Sequence, residues 1–147
     1  MIGRQRARYE LSREVYRREV SRARTFGFIK DVERLWKAGM ALGASLDNTV
    51  AIGDERVLNP EGLRYRDEFA RHKILDAIGD LALAGLPLIG AFRSYRGGHK
   101  LNVGVLEALF ADKSAYRILE PATVSVSSAW RGDFVPAGAA AFAPDMS

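Results

Sequence analysis

The sequence predicts an α+β fold, a two-layer sandwich in which a small, mainly antiparallel sheet carries helices on one face. Segments with apolar residues at helical spacing alternate with short β-prone segments, and glycine-containing turns separate them. Two β-prone segments that flank a short glycine turn add a small inserted βαβ or hairpin-like unit. The 147 residues suffice for one domain with a hydrophobic core.

The N-terminal part of the chain predicts a short strand followed by a helix. Residues 6–11 are the expected strand. Ser12 is a suitable N-cap for a helix that ends near Ala23. The segment Thr25–Phe28 interrupts this helix, because Gly27 allows a turn.

A second helix and a hairpin are expected next. The helix covers residues 29–38 and ends at Gly39, and its apolar residues have helical spacing: Ile29, Val32, Leu35 and Trp36. Two strands, at residues 48–52 and 56–58, are joined by Gly53–Glu55. These strands supply the hairpin-like unit.

The longest predicted helix covers residues 66–84. A strand at residues 88–95 and a last helix at residues 103–111 follow it. Near the C-terminus the composition shifts to alanine, serine, proline and glycine, which is typical of disordered tails. The predicted organisation is therefore one domain over residues 1–120 and a disordered tail over residues 121–147.

The longest helix combines an apolar stripe with a titratable face. On a helical wheel, the stripe that we expect to be buried contains Ile74, Ile78 and Leu81. The opposite face carries a phenylalanine among four titratable side chains: Phe69, His72, Lys73, Asp76 and Asp80. We expect this face to point away from the main core, and the phenylalanine indicates that it lines a cleft.

His72 and Asp76 lie one turn apart on that face, since they are four residues apart. An imidazole nitrogen and a carboxylate oxygen are both zinc ligands. Two ligands do not define a site, because a catalytic zinc usually has three protein ligands. A charged face is also typical of any amphipathic surface helix, so the motif alone leaves both interpretations open.

The second histidine of the chain, His99, follows Gly97 and Gly98. These glycines permit an irregular turn that presents His99 at the start of a helix. A protonated His99 would act as a general acid or stabilise an oxyanion, and it would need a carboxylate neighbour. Asp80, one turn beyond Asp76, is the candidate. Taken alone, the motif is more often a surface histidine in a glycine loop.

The composition excludes several classes of protein. The chain has no cysteine, so disulfides and thiolate chemistry are excluded, and a metal site must use nitrogen and oxygen ligands. No apolar run approaches the roughly 18 residues of a membrane span, and the arginine-rich N-terminus lacks the apolar core of a secretory signal. We therefore expect a cytoplasmic protein without stable membrane insertion.

The net charge of +4 has a local source, an excess of arginine between residues 3 and 25. The arginines are Arg4, Arg6, Arg8, Arg13, Arg17, Arg18, Arg22 and Arg24. A basic surface of this kind favours a polyanionic partner such as nucleic acid, a membrane surface or a phosphorylated ligand. The alternative, a solvated helix face that is simply basic, is equally open.

Several motifs together resemble one known family. The chain is similar to the C-terminal domain of the zinc-dependent UDP-3-O-acyl-N-acetylglucosamine deacetylase of lipid A biosynthesis, from about residue 4 to about residue 112. The matching stretches are Ser21–Phe28, Leu42–Asn48, Val57–Asn59, Gly62–Tyr65, Asp67–Asp80 and Gly98–Asn102. Motifs that occur together and in order are far more specific than any one of them.

The resemblance implies metal-binding and catalytic roles for five residues. His72 and Asp76 match two of the three zinc ligands. Thr25 matches a residue beside the metal whose hydroxyl helps to hold the substrate carbonyl or the oxyanion. His99 matches the histidine that protonates the leaving amine or stabilises the oxyanion, and Asp80 matches its partner carboxylate.

The resemblance also implies a substrate, UDP-3-O-acyl-N-acetylglucosamine, and residues that bind it. Lys73 matches a lysine that contacts the anionic substrate. Phe26 and Phe28 match aromatic residues that line the nucleoside-sugar site, and residues 39–52 match an insert that forms an apolar passage for the acyl chain. The implied protein is a cytoplasmic, monomeric zinc amidase with no nucleic-acid partner.

The resemblance covers one of the family's two domains, and that domain lacks its first strand. The family's third zinc ligand, a histidine, and its general-base glutamate belong to the other domain. Gly97 and Lys100 stand where the family commonly has a serine and a small residue. We therefore expect the isolated chain to bind zinc poorly and to be inactive or nearly so. Three explanations stay open: a fragment of a deacetylase, a partner of a separate N-terminal domain, or a degenerate paralogue.

Two other functions compete with the amidase. A non-catalytic module would bind UDP-sugar or acyl chains through Lys73 and the apolar insert. A nucleic-acid-binding domain would depend on the N-terminal arginines, and its affinity would fall steeply with salt. Acetate release on addition of the missing half would distinguish the amidase from the module.

Overall fold

The computed structural model describes residues 2–119, so the tail predicted for residues 121–147 lies outside the described residues. The chain divides into two units after Ala115. The first unit contains every helix and strand of the described residues. Residues 116–119, the described part of the second unit, have neither helix nor strand.

Helices are the main regular elements of the first unit, and two short strands form its sheet. In chain order the elements are α1 Arg13–Val15 with a following π-helical turn Tyr16–Val20, β1 Thr25–Phe28, α2 Ile29–Lys37, β2 Thr49–Ile52, α3 Glu68–Leu81 with a following 3-10 turn Ala82–Ala84, and α4 His99–Ala111. The α+β class predicted from the sequence is confirmed. None of the helices in residues 2–119 combines the length and the apolar character needed to cross a bilayer.

The sheet is parallel, so the prediction of a mainly antiparallel sheet is wrong. Thr25 lies opposite Thr49 and Phe28 lies opposite Ile52 in parallel register. The helix α2 connects the two strands, and a crossover of this kind returns the chain in its original direction. This β1–α2–β2 unit covers residues 25–52, whereas the inserted unit was predicted from the segments at residues 48–52 and 56–58. Gly27 was expected in a turn but lies inside β1, because the whole segment pairs with β2.

The hydrophobic core lies where β2 meets α3. All four residues of β2 are buried, and Val50 and Ile52 form a cluster with Phe69 of α3. Phe69 therefore points into the core, and the predicted orientation of its helix face is wrong. Because α3 contacts both β1 and α4, its burial is not confined to the predicted stripe, whose members are only partly buried: Ile74, Ile78 and Leu81.

A tight chain reversal follows β2. The amide of Gly53 donates a 2.8 Å hydrogen bond to the carbonyl of Arg56. The predicted reversal is confirmed, but the strand predicted at residues 56–58 is reduced to one antiparallel bridge between Ile52 and Val57. The reversal is thus a hydrogen-bonded turn rather than a two-stranded hairpin.

Two further predicted strands, at residues 6–11 and 88–95, are wrong. Both segments lack regular secondary structure, and no strand within residues 2–119 pairs with them. A β-prone segment without a hydrogen-bonded neighbour gains little from an extended conformation. Side chains fix the first segment instead, since the ring of Tyr9 lies 5.5 Å from the guanidinium of Arg71 on α3.

The predicted helices are confirmed, with shifted ends. Ser12 caps α1, and its hydroxyl oxygen accepts a 3.1 Å hydrogen bond from the Val15 amide. The helix α2 ends before Gly39, whose φ of +72° favours glycine. The helix α4 begins at His99 rather than at Val103, so His99 belongs to the helix itself.

Asn59 holds β2 to the loop before it, and it is 4% exposed. Its Oδ1 accepts from the Ala51 amide at 2.9 Å, and its Nδ2 donates to the carbonyls of Leu46 and Thr49 at 2.8 and 2.9 Å. Asn59→Ala leaves these groups without that partner, so we expect it to lower the free energy of unfolding by about 1–3 kcal/mol in urea denaturation. The exposed Asn48→Ala is the control, and an equal loss there would contradict this role for Asn59.

Candidate active site

Three titratable residues of α3 follow one another at intervals of four residues: His72, Asp76 and Asp80. His72 Nε2 lies 3.2 Å from Asp76 Oδ1, and the two side chains are only 13% and 11% exposed. The strand β1 shelters them, since the ring of Phe26 lies edge-on to the His72 ring with centres 6.1 Å apart. The predicted His72–Asp76 pair is therefore in contact and largely buried.

A second contact fixes the tautomer of His72. Its Nδ1 lies 3.1 Å from the backbone carbonyl oxygen of Ala23. A carbonyl oxygen only accepts hydrogen bonds, so Nδ1 must carry a proton and donate it. In the neutral imidazole this leaves a lone pair on Nε2, which faces Asp76 Oδ1 at 3.2 Å; two acceptors at this distance repel each other, and a cation between them would relieve that repulsion. A hydrogen bond from the other ring nitrogen to a carbonyl is the usual support of a metal-binding histidine.

The His72–Asp76 pair fits two positions of a zinc site. Ligands about 2.0–2.1 Å from a tetrahedral zinc lie about 3.3–3.4 Å from one another. The 3.2 Å between His72 Nε2 and Asp76 Oδ1 is close to that separation. Within residues 2–119, no three histidine, cysteine, aspartate or glutamate side chains are grouped so as to hold a metal ion. A complete zinc site therefore needs a ligand that this part of the chain does not place there.

Lys73 adds a positive charge beside the His72–Asp76 pair. Its Nζ donates to Asp76 Oδ2 at 2.9 Å, and its side chain is about half exposed. The same ammonium lies 5.3 Å from the ring centre of Phe26, within cation–π range. Phe26 packs in turn against Phe69, with ring centres 4.8 Å apart. These contacts hold the ammonium where an anionic ligand can reach it.

An open depression of about 640 Å³ lies beside His72. The strand β1 contributes Thr25 to its wall, and residues 41–49 form another part of the wall. Thr25 is exposed, so its hydroxyl is accessible to a ligand in the depression. Phe28 does not line the depression, because it lies at the other end of β1 from Thr25.

His99 and Asp80 form the second predicted pair. His99 Nδ1 lies 2.9 Å from Asp80 Oδ2 and 3.1 Å from Oδ1, and the imidazole is 69% exposed. Asp80 also accepts a 2.8 Å hydrogen bond from Asn102 Nδ2. That hydrogen bond lowers the pKa of Asp80 below its ordinary value; partial burial opposes the shift, and His99 adds to it. Asp80 is therefore an anion at neutral pH, and Nε2 is the ring nitrogen of His99 left for a ligand.

A buried ion pair fixes the segment that supplies the Ala23 carbonyl. The side chains of Arg24 and Glu68 are 1% and 0% exposed. Arg24 Nε donates to Glu68 Oε1 at 3.0 Å, and its Nη2 donates to Oε2 at 3.2 Å. Glu68 also accepts from the backbone amides of Arg24 and Arg64, at 3.0 and 2.6 Å. Since Glu68 begins α3 and Arg24 directly precedes β1, the pair ties these two elements together next to Ala23.

Both members of this pair are charged in the folded protein. Burial raises the pKa of the Glu68 carboxyl, but the hydrogen bonds from Arg24 and from the Arg64 amide outweigh burial, and the net pKa is lowered. The hydrogen bond to Glu68 raises the pKa of Arg24, and Glu61 adds to this effect. Arg24 was counted in the predicted basic surface, but it is an internal ion-pair partner and is not available to a polyanion.

The structure brings each of the two predicted side-chain pairs into contact. Asn102 was not predicted as a member of the site, although its position three residues after His99 places both on one face of α4 and offered a signal. The Arg24–Glu68 pair was not predicted either. Those partners are 44 residues apart, and nothing in either local sequence indicates that they meet.

Known proteins provide consistent matches to this chain. The family model described as UDP-3-O-acyl N-acetylglycosamine deacetylase (LpxC) matches residues 1–111. Relatives from Brucella ovis, Brucella canis and Brucella abortus, each named UDP-3-O-acyl-N-acetylglucosamine deacetylase, are 60% identical to it over 121 residues. The alignment covers 82% of this chain, and the chain spans 42% of the length of each of these curated relatives.

Proposed function

Since this chain belongs to the UDP-3-O-acyl N-acetylglycosamine deacetylase family, we propose that it forms the C-terminal half of a zinc-dependent amidase. The complete enzyme removes acetate from UDP-3-O-acyl-N-acetylglucosamine in lipid A biosynthesis, as a monomer in the cytoplasm. One observation carries the proposal: His72, which is sheltered and in contact with Asp76, lines a depression that is open to a ligand.

In the proposed site, His72 Nε2 and Asp76 would hold zinc together with a ligand from outside the described residues. Zinc held there would supply Lewis-acid polarisation of the acetamide carbonyl and activation of a water molecule. Thr25 lines the same depression as His72, and its hydroxyl donates to the carbonyl oxygen. That oxygen gains negative charge as water adds to the carbon, so the hydroxyl stabilises the transition state more than the bound amide.

His99 supplies the proton that the leaving amine requires. Asp80 accepts from Nδ1, so protonated His99 donates from Nε2 to the nitrogen as its bond to the acetyl carbon breaks. The products are acetate, which keeps the oxygen of the water, and the free amine. The high exposure of the imidazole supports this role, because the substrate must reach it.

Lys73 and two aromatic residues are proposed to bind the nucleotide part of the substrate. Asp76 and Phe26 hold the half-exposed Lys73 ammonium in place, which favours a charge-assisted contact with a diphosphate. Phe26 and the half-exposed Phe28 belong to the same strand and would line the approach of the nucleoside. Residues 39–52 supply part of the depression wall, which supports their proposed role as the acyl passage.

Completion of the enzyme tests this function. The chain is joined to the part of the Brucella ovis relative that it does not cover, and acetate release from UDP-3-O-acyl-N-acetylglucosamine is measured. We expect release from the joined protein, little or none from the isolated chain, and none from the joined His72→Ala variant. A joined protein that folds and binds zinc but releases no acetate would contradict the amidase.

A non-catalytic module that binds UDP-sugar or acyl chains is the second candidate. It is favoured by the absence, within residues 2–119, of a third metal-ligating side chain grouped with His72 and Asp76. The module would bind UDP equally well with and without zinc, and its joined form would release no acetate.

A further inference from the structure

The His99–Asp80 pair has a third member, Asn102, which the proposed mechanism leaves without a role. Asn102 lies one turn after His99 on the same face of α4, and it is 3% exposed. Its Nδ2 lies 2.8 Å from Asp80 Oδ2, and the same oxygen lies 2.9 Å from His99 Nδ1. One carboxylate oxygen thus receives a hydrogen bond from a buried amide and another from an exposed imidazole.

We propose that Asn102 is a positioning residue that fixes the Asp80 carboxylate, so that Asp80 holds His99 by its Nδ1. Asp80 belongs to α3 and His99 begins α4, so their contact depends on how the two helices meet. A carboxylate held only by an exposed imidazole is free to rotate about its side-chain bonds. A second donor from the buried side removes that freedom, as outer-shell partners do for other functional side chains.

Within residues 2–119, the hydrogen bonds to the Asp80 carboxylate come from the side chains of Asn102 and His99. The charged groups that act on Asp80 are His99 of α4 and Lys73 of α3. Lys73 acts through its charge alone, because its Nζ donates to Asp76. The hydrogen bond from Asn102 has the largest effect on the Asp80 pKa, which it lowers. A neutral amide does this without adding a charge that would compete with His99 for the carboxylate.

The contact with Asp80 determines which ring nitrogen of His99 is left for the reacting group. When Asp80 accepts from Nδ1, the neutral imidazole carries its proton on Nδ1, and Nε2 is left for the reacting group. Without Asn102 the carboxylate is free to turn, and the neutral imidazole loses its preference for the Nδ1–H form. The catalytic meaning of this orientation rests on the proposed amidase, whereas the contact among the three side chains does not.

The tautomer of neutral His99 is the direct test, measured from ring ¹⁵N shifts in the full chain, which has two histidines. We expect the Nδ1–H form to dominate in the wild-type chain and to fall to a mixture in Asn102→Leu, which removes the donor at similar size. The Asp80 carboxyl, followed by ¹³C shifts, is expected to titrate at higher pH in this variant. If the leucine variant does not fold, Asn102→Ala makes the same comparison, because alanine also lacks the donor.

Leu106→Ala is the matched control, because it empties another buried position of α4. It is expected to lower stability without changing the His99 tautomer or the Asp80 titration. An unchanged tautomer and an unchanged Asp80 titration in Asn102→Leu would overturn the positioning role. So would a wild-type His99 that carries its proton mainly on Nε2.

Kinetics of the joined enzyme add a second readout. We expect Asn102→Leu to lower kcat by roughly 10- to 100-fold at unchanged KM, since Asn102 acts through Asp80 and not on substrate. The NMR experiment does not require an active enzyme, so the role of Asn102 and the amidase function can be rejected independently of each other. A tautomer change in a joined protein that releases no acetate supports the role of Asn102 and contradicts the amidase. A lower kcat without a tautomer change overturns the role of Asn102.

Discussion

Replacement of Glu68 by alanine is expected to lower the free energy of unfolding by about 3–5 kcal/mol. The substitution leaves Arg24, whose side chain is 1% exposed, as a buried cation without its main partner. It also removes the acceptor for the backbone amides of Arg24 and Arg64. Urea denaturation of the full chain measures the effect.

An exposed ion pair provides the control for this prediction. Lys30 and Asp54 also form a salt bridge, but their side chains are 73% and 76% exposed. Asp54→Ala is expected to leave the midpoint of unfolding nearly unchanged, because exposed ion pairs contribute little. The double variant Arg24→Met/Glu68→Leu is expected to be more stable than Glu68→Ala, since it leaves no buried charge. A loss in Glu68→Ala no larger than in Asp54→Ala would contradict the prediction.

The same carboxylate makes stability depend on pH. The pKa of Glu68 in the folded chain lies below its ordinary value, which is about 4.3 in an unfolded chain. Between these two pKa values the unfolded state binds more protons, so stability falls as the pH falls. The contribution of Glu68 is complete above about pH 4.3 and is lost as the pH falls through the folded pKa. Glu68→Gln is expected to reduce the fall in the free energy of unfolding at acid pH. An unchanged dependence of that free energy on pH would contradict the prediction.

Zinc affinity of the joined enzyme is expected to fall by more than about 100-fold in His72→Ala, because the loss of even an outer-shell partner typically costs 10- to 100-fold. His72 offers a sheltered Nε2 lone pair whose direction is set by the Ala23 carbonyl. Competition with a chelator of known affinity measures the change.

His99→Ala is the control, because His99 is the only other histidine and is engaged with Asp80. We expect this variant to keep the wild-type zinc affinity. Equal losses in both variants, or none in His72→Ala, would contradict the assignment of His72 as a ligand. In the isolated chain we expect weak binding, because the described residues group only two suitable donors. Nanomolar, His72-dependent binding there would mean that the chain or a second copy supplies the third ligand.

The parts of the fold that depend on local sequence were predictable. The helices α2 and α3 follow from apolar spacing and from the glycines that end them, since a helix satisfies its backbone within itself. Strands require a partner from another part of the chain, and this explains the errors in the predicted strands. Residues 6–11 and 88–95 are β-prone but find no paired strand in the described part of the chain. The glycine in Thr25–Phe28 predicts a turn, yet this segment pairs with a segment 24 positions later.

In the candidate site, too, a contact within one helix was predictable, whereas the contacts of Ala23 and Arg24 with distant segments were not. The contact between His72 and Asp76 was predictable, because four residues on one helix fix it. The Ala23 carbonyl was not, because every residue has one and the sequence carries no sign of which carbonyl a histidine will meet. The burial of Arg24 and Glu68 was likewise hidden, since charged residues are almost never fully buried unless they are paired.

The helix α3 fixes the distance between the His72–Asp76 pair and the Asp80 carboxylate that contacts His99. Four residues advance about 6 Å along a helix axis, so His72, Asp76 and Asp80 stand at set intervals. One residue inserted between Asp76 and Asp80 would turn Asp80 by about 100° away from His99 while leaving the His72–Asp76 contact intact. Natural variation that preserves function should therefore change residue identities within α3 but not its length. Insertions and deletions are expected in the connection between α3 and α4 instead, because a change of length there does not rotate the residues of α3 relative to one another.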